Sequence, residues 1–267
     1  MLAGRTGACK GGPMGEFFDA QDGRELRLEL RSVDGRDFTL LRQIGYQGDG
    51  YDEPFVVPAD LARFATDLAS VPRVFTWLVP KSGSFLPAAV LHDALVEEHD
   101  YLGPRVDRTE ADLIFREAMI ELGTGKVRAW LMWSAATCAT MWRGRRWTDR
   151  SALILLVAVV TILGVLATLD IFDVWDVLPW MGQQPWPAEL AGGAFFALVV
   201  PSVLARTWGA RWPAGVVLGL ALAFLLHVTV VLLLLYLGYL GLERLISGPP
   251  SRRGWHGHHP QTLGPAP

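Results

Sequence analysis

Apolar and polar positions along the chain change their period as the chain proceeds. From Arg24 to Leu30 they alternate, with Leu26, Leu28 and Leu30 on one face, which is the two-residue repeat of a half-buried strand. Asp34–Gly35 supplies a turn, and "RDFTLLRQIGY" beyond it predicts the second strand of a hairpin. A third short strand is predicted in "PFVVP", stopped by Pro58. The spacing then becomes helical. Val74, Phe75, Leu78 and Val79 predict a helix with Ser70 as N-cap and Pro72 in its first turn. Pro87 is tolerated only in a first turn, so a second helix is predicted to begin near Ser84 to Leu86. On it Ala89, His92, Asp93 and Val96 share one stripe beside the apolar stripe Ala88, Leu91 and Leu95. A third helix is predicted from Thr109 as N-cap, with Asp112 at its third position and Ala111, Phe115, Ala118, Met119 and Leu122 as its apolar face. The fourth, from Lys126, carries Trp130, Trp133, Trp142 and Trp147. Its uncharged run is too short for a bilayer core of ~30 Å, so it is predicted to lead to the membrane surface.

After Arg150 the composition shifts to long apolar runs at Ser151–Leu169, Leu190–Ala205 and Trp212 to about Leu242. These predict about three transmembrane helices, the second being short and holding Pro201. Tryptophans 175, 180, 186, 208 and 212 flank the runs as an interfacial belt does. The expected fold class is therefore α+β: a small antiparallel sheet with four helices, followed by a C-terminal transmembrane bundle. The expected divisions of the 267 residues are a disordered N-terminus at 1–22, the α+β domain at 23–148, the membrane region at 149–246 and a disordered tail at 247–267. Arg143, Arg145, Arg146 and Arg150 precede the first run and Asp170, Asp173 and Asp176 follow it. The positive-inside rule then places the N-terminal domain in the cytoplasm of a multi-pass protein of the inner membrane, and Arg206 and Arg211 agree.

Charge narrows the partners. A net charge of −3 leaves no basic excess to neutralise phosphates, which argues against nucleic acid and leaves the lipid bilayer as the expected partner. The two cysteines, Cys9 and Cys138, form neither a disulfide framework nor a metal spacing, and "MLAGRTGACKGGPMG" lacks the apolar core of a signal peptide.

The candidate chemistry lies around the adjacent His92 and Asp93. The turn with Gly103 and Pro104 is short, which favours an antiparallel pair of helices and brings Asp112 toward the dyad across their seam. Each residue also has a structural explanation: Asp112 as a capping carboxylate, His92 as a tie between helices through Asp112 or Asp67, and Asp67 as a cap or a partner of Arg73 or Arg108. A His–Asp metal phosphohydrolase would need a further histidine upstream, and none precedes His92. His227 sits near the middle of the last apolar run, where an ionisable group is a candidate site, but a neutral imidazole bonded to Thr229 or to a carbonyl of a neighbouring span is the preferred reading; His256, His258 and His259 belong to the polar tail.

The ordered motifs "VPADLARFATDLASVPR", "PAAVLHDAL" and "RTEADLIFREAM" resemble the bacterial and phage family known as domain of unknown function 1353, over roughly Phe38 to Trp142. The resemblance marks Thr66, Asp67, Ser70, Pro72 and Arg73 as motif residues and implies a phage-related domain without an assigned activity. Two positions depart from the pattern: Arg63 stands before Phe64 where glycine is usual, and Val96 stands where an aromatic residue often follows the His–Asp. A second resemblance, of a His–Asp helix followed by Ala–Asp–x–x–Phe, is to the active-site helices of phospholipase A2 domains. It implies His92 as the base, Asp112 as the group orienting its imidazole, and Asp93 as a Ca²⁺ ligand. The glycine-rich calcium loop and framework cysteines of that family are absent from this sequence. No cofactor is firmly implied, Ca²⁺ being the one that this resemblance suggests. Two functions stay open: a membrane-anchored cytoplasmic module acting by interaction, and a Ca²⁺-dependent lipid or ester hydrolase at the bilayer surface.

Overall fold

The computed structural model describes residues 16–32, 37–66, 82–98, 100–182 and 184–247. The described chain is α+β. Its strands are β1 (Glu16–Asp19), β2 (Leu30–Ser32), β3 (Phe38–Leu40), β4 (Ile44–Gln47) and β5 (Phe55–Val57). β1, β4 and β5 form an antiparallel sheet in that order, and β2 and β3 a separate antiparallel ladder. The second strand expected in "RDFTLLRQIGY" is thus broken at residues 41–43: its first half folds back on β2 and its second half enters the other sheet. Leu26, Leu28 and Leu30 do pack against the core from alternate positions, but only Leu30 reaches a ladder.

β1 lies inside the 1–22 stretch expected to be disordered, of which residues 16–22 are described and 1–15 are not. Its four residues, "EFFD", are too few to carry a pattern by themselves, and pairing with β4 supplies what propensity does not. Phe17 packs against the Tyr46 ring at 4.7 Å. Asp19 is buried, where Arg42 Nε donates to its carboxylate at 2.6 Å.

Among the described residues six α-helices follow: α1 (Leu86–Asp93), α2 (Arg108–Glu121), α3 (Lys126–Arg143), α4 (Trp147–Ile171), α5 (Trp186–Leu204) and α6 (Trp212–Ser247). The helix expected at Ser70, with Pro72 and Arg73, and Asp67 beside it, lies outside the described residues, as do the 251–267 tail and the side chains of His227 and Thr229. α1 begins where Pro87 permits, and it runs directly into a π-helical turn at Ala94–Glu98. Gly103 turns the chain toward α2 with φ of +126°; a Cβ there would lie 2.6 Å from the Pro54 carbonyl oxygen. The cap of α2 is Asp107, whose side chain accepts from the Glu110 N–H at 2.8 Å, rather than Thr109. The helix therefore starts one residue before Thr109, and Asp112 faces inward instead of capping.

Two cores result. Ile44, Tyr46, Phe55 and Val57 of the sheet pack with Ala88, Val90 and Leu91 of α1 and Ala111, Phe115 and Met119 of α2. Trp133 and Met141 of α3 pack with Leu153 and Leu156 of α4 and with Ala205, Trp208 and Ala214 around the α5–α6 connection. The first of two compact units runs to His227. The remaining unit, from Val228, is described to Ser247 and is helical.

The stretches Trp147–Ile171 and Trp186–Leu225 are long and apolar enough to cross a membrane, with mean hydropathies of 2.9 and 1.8. The second combines α5 with the start of α6 across a short 3₁₀ turn at Ala205–Arg211. There Gly209 takes φ of +61°, a left-handed conformation that breaks the helix without steric cost.

Candidate functional site

His92 and Asp93 end α1, one turn from its buried face, and differ in what they meet. His92 Nε2 lies 2.8 Å from Asp112 Oδ1 on α2, and its ring stands 4.8 Å from the Phe115 ring. A carboxylate only accepts, so this contact requires a proton on Nε2. The imidazole is 15% exposed and Asp112 1%. Asp112 Oδ2 is buried and has no hydrogen-bond partner among the described residues.

Asp93 turns toward the sheet side. Its Oδ2 accepts from the Thr66 hydroxyl, and Thr66 is itself fixed by exchanging backbone hydrogen bonds with Phe38 at 2.8 and 2.9 Å. β3 therefore sets the position of Thr66, and Thr66 helps to set the rotamer of Asp93. The π turn after Asp93 leaves the Val96 carbonyl to accept from Arg108 Nη2 at 2.9 Å, which ties the end of α1 to the start of α2.

Of the residues singled out in the sequence, the structure brings His92 and Asp112 together, and places Thr66 on Asp93. Asp67, Ser70, Pro72 and Arg73 lie outside the described residues. Calcium takes six to eight oxygen ligands, whereas among the described residues no group of three or more His, Cys, Asp or Glu is gathered for a metal.

Other polar contacts had no sequence signal beyond their residue types. Tyr46 donates to Glu121 at 2.8 Å and Tyr51 to Glu110 at 2.6 Å, so α2 is pinned to the sheet at both ends. Burial, then the adjoining carboxylate, raises both phenols above the ordinary range. Burial also raises Glu121, with the Tyr46 hydrogen bond acting against it. The Cys138 thiol on α3 is pushed up to about 12, first by burial and then by the negative charge of Asp112, which makes it a poor nucleophile at neutral pH. Arg211, beyond α5, donates to Thr109 Oγ1 at 2.9 Å and to Asp149 Oδ2 at 3.0 Å. One guanidinium thus joins the start of α2, the start of α4 and the α5–α6 connection.

No curated protein and no solved structure matches the chain. Residues 38–136, which hold Thr66, His92, Asp93 and Asp112 and leave out the apolar helices, match the model of the family described as Protein of unknown function (DUF1353).

Proposed function

We propose that the chain is a membrane-anchored protein of the inner membrane whose DUF1353 domain faces the cytoplasm and acts there by interaction. The observation that carries this reading is the surface of α4. Leu153, Leu156 and Val160 make a narrow inward stripe, while Ile154, Leu155, Val157, Ile162 and Val165 are exposed. Only 17% of its apolar window is buried, and an apolar surface of that extent is not compatible with water. Two hydroxyls within these helices are satisfied locally, as a bilayer demands: Thr168 donates to the Gly164 carbonyl and Ser202 to that of Leu198. Arg211, Asp149 and the run Arg143–Arg150 gather at one end of the helices, and the acidic loop with Asp173 and Asp176 follows the other end of α4. This charge arrangement supports a cytoplasmic domain, with α4, α5 and α6 as three spans. Membranes washed with alkaline carbonate should retain the full chain, and mild detergent should release it. Release by carbonate alone would refute anchoring.

One observation favours a second reading, hydrolysis of a lipid or other ester at the bilayer surface: the His92–Asp112 contact of 2.8 Å. An imidazole whose Nε2–H is held by a carboxylate presents Nδ1 as a base, which would take a proton from water as that water attacks an ester carbonyl. Purified protein in mixed micelles should then release lysophospholipid, and His92→Gln should abolish the release. No release from the wild type, with or without millimolar Ca²⁺, would leave the interaction reading alone.

A further inference from the structure

The buried end of the His92–Asp112 pair has an unassigned neighbour. α2 and α3 are joined by a short turn and pack along their length as an antiparallel hairpin. Their register is visible where the Arg116 guanidinium lies 4.7 Å from both the Trp130 and Trp133 ring centres. One turn back from Arg116 on α2 is Asp112, and one turn on from Trp133 on α3 is Thr137. Asp112 and Thr137 therefore face each other across the seam. The position of Cys138 agrees, since that thiol responds to the charge of Asp112. Asp112 is 1% exposed and Thr137 1%. Both Asp112 Oδ2 and Thr137 Oγ1 are buried without a protein hydrogen-bond partner among the described residues, and so is Trp133 Nε1.

Buried polar atoms left unpaired are costly, and this helix pair carries three of them. A single water needs two to four polar partners. A carboxylate oxygen that accepts, a hydroxyl that does both and an indole N–H that donates would satisfy one. We infer that Thr137 is a positioning residue for the His92–Asp112 pair, its hydroxyl holding Asp112 Oδ2 through one enclosed water. With both carboxylate oxygens engaged, the plane of the group is fixed and Oδ1 is aimed at His92 Nε2. Other charged or titratable groups near the pair are Asp93 on α1 and Arg108 and Arg116 on α2. Arg108 is engaged by the Val96 carbonyl and Arg116 by the Trp130 and Trp133 rings.

The inference deepens the hydrolase reading, and its test needs no turnover, so the two can fail separately. The full chain is prepared in detergent micelles with ¹⁵N-labelled imidazoles, and the His92 signals are identified by their loss in His92→Gln. In wild type and in Thr137→Ser, the ¹⁵N shifts should show Nε2 protonated, with an N–H that exchanges slowly with solvent. Thr137→Val should move the two ring nitrogens toward a mixed tautomer and speed exchange by roughly tenfold, the factor expected for one lost net hydrogen bond. If Thr137→Val does not fold, Thr137→Ala is read by the same criterion. His92 signals unchanged in the folded Val or Ala variant would overturn the inference.

Discussion

At the scale of single residues, the contact between α1 and α2 turns on His92, Asp112 and the residue that caps α2. A short turn with Gly103 and Pro104 between two amphipathic helices is enough to bring Asp112 toward His92, and the two side chains lie 2.8 Å apart. Which way Asp112 points depended on the cap. Thr109 and Asp107 are both competent N-caps, and Asp107 takes the role, so Asp112 falls on the buried face. If the His92–Asp112 contact is a structural tie only, His92→Gln should cost ~1 kcal/mol of stability in a detergent melt, as for one net hydrogen bond. The Asp19–Arg42 pair offers a prediction with a defined sign. The Arg42 hydrogen bond lowers the Asp19 carboxyl below its ordinary value of 3.8. A carboxyl with a lowered folded pKa contributes stability that is present above the unfolded value and is lost as pH falls through the folded one. The gap in melting temperature between wild type and Asp19→Asn should therefore be full at neutral pH and close below pH 3.8. A gap that stays constant into acid would show that the ion pair is not its source.

At the scale of elements, long periodic segments were legible and short strands were not. The limits of α3 through α6 follow from apolar spacing and from Gly144, Pro185 and Gly209 at their boundaries. β1 was missed because four residues with charged ends hold no period, and its existence depends on the β4 edge. The break between β3 and β4 was missed because one apolar run serves two sheets. The approach of α5 to α6 rests on small residues at positions four apart, Gly215 and Gly219. A Cβ at Gly219 would lie 2.3 Å from Pro201 Cβ. Gly219→Leu should thus lower stability by about 1–3 kcal/mol, the usual range for overpacking. A detergent melt matching that of wild type would show that these helices do not pack closely in solution.

At the scale of the whole molecule, the sequence separates a charged N-terminal part from an apolar C-terminal part, but it does not show how firmly they join. The join depends on Trp133, Met141 and Trp208 and on the Arg211 contacts with Thr109 and Asp149, partners far apart in sequence. Arg211→Ala should weaken this join, and limited proteolysis near Gly144 to Arg146 should become faster than in wild type. An unchanged cleavage rate would assign Arg211 no such role. The central proposal is that the apolar helices hold the region matching the DUF1353 model, residues 38–136, at the cytoplasmic face, and the side of the membrane tests it most directly. Single cysteines at the exposed positions Lys126 and Asp176, each in a Cys9→Ser, Cys138→Ser background, can be labelled in intact and in permeabilised cells with a membrane-impermeant maleimide. The account predicts that Asp176→Cys is labelled in intact cells and Lys126→Cys only after permeabilisation. Labelling of both under the same condition, or of Lys126→Cys alone in intact cells, would contradict it.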